Sequence, residues 1–187
     1  FVDRRSRSEG NVQARTAFRD VQAPPSAMIR DPFFWALWTL YFIGAGAGLM
    51  VIGSVARMAK NSLGEKAFNA VAILAVGNAA GRIVAGILSD RIGRNWTLAL
   101  VFSGQALLML AAIPVVGSHS APAALIVLLA TAIGFNYGAN LALFPSFTKD
   151  RWGMKNFGVN YGIVFSAWGI GGFFLSRLSK NLTAKSG

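Results

Sequence analysis

The chain has 187 residues, of which 54% are hydrophobic and only 13% charged, with a mean hydropathy of +0.50. Ordinary soluble domains carry about 25% charged residues, so this composition excludes that class. The absence of cysteine, with His119 as the single histidine, excludes a disulfide framework, a thiolate metal site and a histidine cluster. A net charge of +11 does not indicate nucleic-acid binding, because no basic stripe is interleaved with stacking aromatic residues.

Residues 1–30 carry six arginines, three acids and a Pro-Pro pair without apolar periodicity, which predicts a solvated and largely irregular segment. Five apolar runs follow, each long enough to cross about 30 Å of hydrocarbon. We therefore predict an all-α integral membrane protein whose bundle occupies residues 31–179. The predicted spans are about 32–55, 67–89, 96–116, 122–144 and 156–178, followed by a tail at 180–187.

The first predicted span opens with Asp31-Pro32, an acid and a helix-starting proline. It contains Gly44, Gly46 and Gly48. Glycines weaken helices in water but permit close helix approach in lipid, so we predict a packing or bending surface rather than a loop.

The distribution of Lys and Arg predicts the orientation. Eleven of them flank one end of the spans and six flank the other. By the positive-inside rule, the N-terminal segment is expected in the cytoplasm of a multi-pass protein of the cell (inner) membrane.

Arg82 is a charged residue inside an otherwise apolar span, where insertion costs about 2.5–3.5 kcal/mol. One interpretation is structural: the side chain reaches the headgroups or pairs with another helix. The functional interpretation is an anion clamp, because a guanidinium matches the two oxygens of a carboxylate and no acid in the predicted spans neutralises it. Asn78 lies one turn earlier on the same face.

The last two predicted spans add polar groups whose burial in lipid requires partners. On the fifth, Tyr161, Phe165 and Trp168 follow helical spacing and form one aromatic stripe. Such a stripe often serves packing alone, and Phe165 is assigned to packing. The candidates for a binding role from these two spans are Asn136, Asn140, Tyr161 and Trp168, while Tyr137 and Asn160 are expected to face helices or a cavity.

Between the second and third spans stands the sequence Gly-Ile-Leu-Ser-Asp-Arg-Ile-Gly-Arg, residues 86–94. It could be a plain charged loop, but it closely resembles the cytoplasmic-loop motif of the major facilitator superfamily, which latches neighbouring helices. The resemblance implies a gating clasp that is made in one conformation and broken in another. Its members are Gly86, Asp90, Arg91, Gly93 and Arg94.

Four further stretches, residues 44–50, 137–145, 150–153 and 155–162, resemble the oxalate/formate antiporter family and its monocarboxylate-transporter relatives. The resemblance implies helices seven to eleven of twelve, a C-terminal six-helix half that lacks its last helix, with the N-terminal half as a missing partner. Arg82 then stands where relatives hold a substrate carboxylate.

Two departures from the family pattern refine this expectation. Trp168 stands where oxalate transporters carry a lysine, so a single cation remains, which favours a monocarboxylate such as lactate, pyruvate, formate or acetate. Asn78 stands where animal monocarboxylate transporters carry an aspartate. Because Asn cannot titrate, a coupled proton must travel on another group.

We therefore expect a secondary transporter of small monocarboxylates, coupled to protons, that works by alternating access in the lipid bilayer. The alternatives are an organic-anion antiporter of the oxalate/formate type and a non-transporting membrane sensor with the same fold. An enzyme is not expected, because the spans hold no Ser-His-Asp set and no paired carboxylates. No cofactor is expected either, since the chain has no phosphate-binding loop.

Overall fold

A computed structural model of the protein describes residues 22–63, 67–116 and 122–186. Residues 1–21 of the predicted cytoplasmic segment and the loop with His119 lie outside the described residues. The described residues form helices and connecting turns, which confirms the predicted all-α class. The helices are α1 (Pro25–Arg30), α2 (Pro32–Leu63), α3 (Ala67–Ile92), α4 (Arg94–Val116), α5 (Ala123–Trp152) and α6 (Phe157–Ser186).

The helix ends differ in places from the sequence pattern. Residues 25–30 form the short helix α1, although the sequence predicts an irregular segment, because Pro25 fits the first turn of a helix. Helix α5 continues past Pro145 to Trp152, and α6 continues through the predicted tail. Helix α2 begins as expected, since the Asp31 carboxylate accepts the Phe33 backbone N–H at 3.0 Å.

Five helices, α2 to α6, are long and apolar enough to cross a membrane. Their outer faces carry large apolar side chains that no packing covers: Trp96 is 72% exposed, Val76 69% and Leu107 68%. A surface of this kind would aggregate in water but is stable in hydrocarbon, which supports the membrane setting.

Helix α5 lies at the centre of the bundle and packs against α2, α3, α4 and α6. Half of its apolar span is buried by these neighbours, compared with 17% for α3 and for α4. The core formed around it includes Tyr41, Leu143 and Phe144, each fully buried. Side chains on α5 therefore meet groups from every other long helix.

Glycines bring α3 and α5 into direct backbone contact. Gly77 and Gly81 on α3 face Gly134 and Gly138 on α5, a Gly-xxx-Gly pattern on both helices. A methyl group on Gly81 would strike the Phe135 carbonyl, and one on Gly138 would strike the Asn78 carbonyl. This close crossing determines where the flanking residues of both helices lie.

A second close crossing joins α2 to α6. Gly46 packs against the backbone of Gly171, and Gly171 packs against the Phe42 carbonyl. The other glycines of α2 face different neighbours: a methyl group on Gly44 would lie 2.9 Å from Phe102 of α4, and one on Gly48 would lie 2.6 Å from Tyr137 of α5. The glycine run therefore remains helical and packs against three helices.

Candidate functional site

Arg82 lies immediately after Gly81, at the crossing of α3 and α5, and its side chain is exposed on the surface of the five-helix bundle. Its Nε–H donates to Oδ1 of Asn78, one turn earlier, at 3.2 Å. In the described part of the chain, no carboxylate comes within ion-pair distance of the guanidinium. Arg82 thus has no carboxylate partner among these residues, and its terminal N–H groups are left as donors.

Tyrosines from three helices lie within electrostatic range of the Arg82 charge. Three hydroxyls lie close enough to Arg82 for its charge to act on them: those of Tyr41 in α2, Tyr137 in α5 and Tyr161 in α6. Phenolic O–H groups donate hydrogen bonds, and a guanidinium does nothing else, so the cluster is rich in donors. It can therefore receive an anion.

Trp168 approaches the same cluster from α6. Its indole Nε1–H donates to the hydroxyl oxygen of Tyr137 at 2.5 Å. Tyr137 is missing from the binding candidates of the sequence analysis, although its helical position, one residue before Gly138, is the signal that could have identified it.

Tyr41 is also missing from those candidates, because its setting depends on α5. Its ring stacks on Phe144 with centroids 3.9 Å apart and is fully buried. Its hydroxyl makes no hydrogen bond within the described residues, since the approaching Tyr161 hydroxyl does not meet hydrogen-bond geometry. Burial of a hydroxyl without a hydrogen-bond partner lowers the stability of the fold, so the unpaired Tyr41 hydroxyl near Arg82 is a feature that a ligand could satisfy.

The aromatic stripe on α6 forms as a continuous contact chain. Phe157 stacks on Tyr161 at 5.6 Å between centroids, Tyr161 contacts Phe165 at 5.7 Å, and Phe165 stacks on Trp168 at 5.1 Å. The Trp168 end of the stripe reaches Tyr137, so part of the stripe belongs to the cluster.

Asn136 and Asn140, also binding candidates, lie elsewhere. The Asn136 side-chain amide donates to the Val101 carbonyl of α4 at 3.2 Å, and the Asn140 amide donates to the Asn136 carbonyl at 3.2 Å. Both are more than nine-tenths buried. The structure therefore places Asn136 against α4 and Asn140 near Gly44 of α2. Neither is hydrogen-bonded to Arg82 in the described part of the chain.

The loop after α3 forms a clasp around Arg94. Nη1 of Arg94 lies 2.8 Å from Asp90 Oδ1 and also bonds the Ser89 hydroxyl. Nε of Arg94 lies 3.0 Å from Asp150 Oδ2 of α5. Gly93 connects the helices at φ +92°, a backbone conformation that favours glycine. The side chain of Arg91 points to solvent, and the Gly86 carbonyl accepts the Ser89 hydroxyl.

A second clasp joins the start of α2 to the end of α5. Asp31 Oδ2 lies 3.0 Å from Arg151 Nε and accepts the Trp152 indole N–H at 3.3 Å. Burial alone would raise the pKa of Asp31, but its bonds with Arg151, the Phe33 N–H and Trp152 hold that pKa below its ordinary value. The carboxylate stays charged near neutral pH.

The same end of the bundle holds the segment before α1. The Ala23 carbonyl accepts the side-chain amides of Asn160 at 3.0 Å and Asn156 at 3.3 Å, and the Ala23 N–H donates to the Trp152 carbonyl. Asn160 therefore anchors this segment and takes no part in the Arg82 cluster.

Asp150, Asp31 and Arg151 are not among the site residues that the sequence predicts. A signal for them exists: residues 150–153, Asp-Arg-Trp-Gly, repeat the Asp-Arg-Ile-Gly pattern of residues 90–93. Gly153 also has a positive φ, +80°, like Gly93. Both Asp-Arg pairs end a helix at the same side of the bundle.

A metal ion would need a group of side chains that could hold it. Among the described residues, no group of three His, Cys, Asp or Glu side chains is placed to hold an ion. The arrangement can bind an anion at Arg82 and can hold three helix ends together at Arg94.

Fold and site together define a polytopic helical membrane protein with an arginine in a membrane helix, Arg82, that has no carboxylate partner among the described residues. Residues 1–176 match the family model described as Major Facilitator Superfamily. The chain belongs to this superfamily.

Three curated relatives are similar to the chain. It is 34% identical over 151 residues to the uncharacterized MFS-type transporter YhjX of Escherichia coli, covering 76% of this chain and 35% of the relative. It is 32% identical over 167 residues to the oxalate:formate antiporter of Oxalobacter formigenes, covering 86% and 38%. The probable transporter MCH1 of Candida albicans is 23% identical over 154 residues, covering 80% and 32%. The chain thus spans about a third of the length of these relatives.

Proposed function

We propose that the chain is part of a secondary active transporter of small monocarboxylates, with Arg82 as the anchor of the substrate carboxylate. The observation that carries this proposal is a membrane-helix arginine without a carboxylate partner among the described residues, within electrostatic range of three tyrosine hydroxyls. A permanent charge in this position is costly, and a substrate anion would neutralise it only while bound.

The guanidinium geometry suits a carboxylate. Asn78 occupies Nε and orients the planar group, which leaves the terminal nitrogens to bond the two carboxylate oxygens in parallel. The Tyr137 and Tyr161 hydroxyls supply further donors beside the guanidinium. These bonds give the substrate a defined orientation.

The charge count favours a monoanion. The described part of the cluster holds one cation, Arg82, and Trp168 places an aromatic ring where a second cation would favour a dianion. Lactate, pyruvate, formate and acetate fit a single cation.

The alternative is organic-anion antiport of the oxalate/formate type. It is favoured by the similarity to the oxalate:formate antiporter, at 32% identity. A second cation contributed by the rest of a full-length transporter would allow a dianion such as oxalate. The preferred substrate charge therefore separates the two functions.

We further propose proton coupling in which the proton does not travel on Asn78, which has no titratable group. Asp31 is also unsuitable, because its lowered pKa keeps it ionised near neutral pH. The substrate carboxyl group or an acid elsewhere in the full-length protein would carry the proton.

The Arg94 clasp would control alternating access. It joins the ends of α3, α4 and α5 through Asp90 and Asp150, so breaking it frees three helix ends at once. The positive-inside rule places this end in the cytoplasm, where the clasp would hold one conformation of the transporter.

The test is uptake of radiolabelled lactate into proteoliposomes that contain the full-length protein, with and without an inward proton gradient. We expect uptake by the wild type to be stimulated by the gradient and to vanish in Arg82→Gln. Arg177→Gln, which removes an exposed arginine near the end of α6, is the matched control and should transport normally.

Competition with unlabelled oxalate and formate distinguishes the two candidates. Monocarboxylates should compete with lactate and oxalate should not. Exchange of oxalate for formate would instead support the antiporter. Equal lactate uptake by the wild type and Arg82→Gln would remove Arg82 from the substrate site.

A further inference from the structure

The hydrogen bond between Trp168 and Tyr137 has a fixed direction. An indole N–H donates and cannot accept, so the 2.5 Å bond uses the Tyr137 oxygen as the acceptor. The phenolic proton of Tyr137 is therefore left for a different partner. That partner must be an acceptor.

Arg82 likewise offers only hydrogen-bond donors to a ligand. Its Nε–H is bonded to the Asn78 oxygen, and its remaining groups are all donors. Arg82 follows Gly81 and Tyr137 precedes Gly138, two glycines of the one crossing between α3 and α5, and the Arg82 charge is close enough to act on the Tyr137 hydroxyl. A carboxylate, with two acceptor oxygens, can accept from both groups at once.

Both aromatic rings are held in place. Tyr137 is only 8% exposed, and a methyl group on Gly48 would lie 2.6 Å from its ring. Trp168 stacks on Phe165, with ring planes 11° apart. Since neither ring can turn freely, the direction of the hydrogen bond is maintained.

We propose that Trp168 is a positioning residue, which holds the Tyr137 hydroxyl with its proton directed to the carboxylate that Arg82 binds. The inference rests on the proposed function and deepens it. Trp168 then has a role of its own: its hydrogen bond leaves the neutral Tyr137 hydroxyl to donate a hydrogen bond to the anion. Hydrogen bonds of this kind strengthen one another in a medium of low dielectric.

The same bond restricts the substrate class. Because the indole N–H is occupied, Trp168 offers a ligand only its apolar ring. The substrate carboxylate should therefore be attached to a group with an apolar face, such as the methyl group of acetate or the methyl-bearing carbon of lactate, rather than to a second carboxylate.

A double-mutant cycle tests the inference in full-length protein reconstituted into proteoliposomes. We expect Trp168→Phe and Tyr137→Phe each to raise the KM for lactate about tenfold at nearly unchanged maximal rate, since each loses one charge-assisted bond to the substrate. The double variant should be no worse than either single variant, because Trp168 acts through Tyr137.

Trp38→Phe is the matched control. It removes another indole hydrogen bond that joins α6 to a neighbour, from Trp38 to the Ser166 hydroxyl at 3.1 Å, and should leave the KM unchanged. Trp168→His retains a ring N–H donor and is expected to bind lactate better than Trp168→Phe. The reverse order would overturn the inference.

Additive effects in the double variant, or an unchanged KM in Trp168→Phe, would overturn the positioning role while leaving the proposed function intact. If Trp168→Phe fails to insert, Trp168→His and Tyr137→Phe complete the test, and an unchanged KM in Tyr137→Phe overturns the inference. Absence of carboxylate uptake by the wild type would overturn the proposed function as well.

Discussion

Two arginines of one bundle, Arg82 and Arg94, are paired in opposite ways. Arg94 lies at a helix end, 27% exposed, and contacts two carboxylates and a hydroxyl. Arg82 lies within a helix and, among the described residues, contacts one neutral amide. Arg94, the more buried of the two side chains, thus has the more complete set of partners.

The difference separates a structural cation from a binding cation. Two carboxylates neutralise Arg94, so its bonds stabilise the contact of three helix ends. Arg82 is oriented by Asn78 and has no carboxylate partner among the described residues, and tyrosine hydroxyls near it can donate to an anion. The incomplete pairing of an arginine in a membrane helix is therefore the feature that indicates a ligand.

The strongest challenge to this comparison is Arg82→Lys. Lysine keeps the charge but loses the planar fork and the bond to Asn78, so we expect lactate kcat/KM to fall about fiftyfold. Initial uptake rates over a range of lactate concentrations give kcat/KM, and Arg177→Lys is the control. Wild-type kinetics in Arg82→Lys would show that a point charge is enough.

Gly81→Ala tests whether the helix crossing positions Arg82. Its methyl group would strike the Phe135 carbonyl, which forces the helices apart, so we expect a loss of about 2 kcal/mol in stability and a clear fall in uptake. Thermal unfolding in detergent and lactate uptake measure the two effects. Gly162→Ala, where nothing lies within 4 Å, should be neutral or stabilising.

Asp150→Asn tests the structural cation. We expect a loss of about 1 kcal/mol, because Arg94 keeps Asp90 and both partners are partly hydrated. Thermal unfolding measures this loss of stability. Asp90→Asn is the comparison and should lose less, because Asp90 is more exposed than Asp150. The exchange Arg94→Asp with Asp150→Arg should recover part of the loss, and no recovery would argue against a direct pair.

Asp31→Asn should have the smallest effect, with a distinctive pH dependence. Because the folded pKa of Asp31 is below its ordinary value of 3.8, the carboxylate stabilises the fold fully above that value and loses this contribution as pH falls through the folded pKa. The difference in Tm between wild type and Asp31→Asn should stay constant from about pH 7 to pH 5 and shrink below about pH 4. A change near neutral pH would contradict the lowered pKa.

Much of the molecule was predictable from the sequence. Unbroken apolar runs of span length leave few structures other than membrane helices, because backbone groups must be bonded internally in lipid. Arg82 stood out for the same reason, since a charge in such a run demands an explanation. The Asp90 loop was recognisable by its spacing.

The partners of these residues were not predictable. Asp150 lies 56 residues from Arg94, and Asp31 lies 120 residues from Arg151. Asn136 shares a helix with Tyr137, yet it bonds α4 while Tyr137 bonds Trp168 of α6. Helical periodicity shows which residues share a face, but not which helix that face meets.

The sequence by itself determined that the spans lie in lipid, that they are helices and that Arg82 is the charge a ligand must neutralise. These features depend on local composition and on the cost of moving polar groups into hydrocarbon. Only the tertiary structure decided which cation is neutralised and which remains available. That outcome depends on two glycine crossings that bring distant helices within hydrogen-bond distance, and such contacts exist only once the chain has packed.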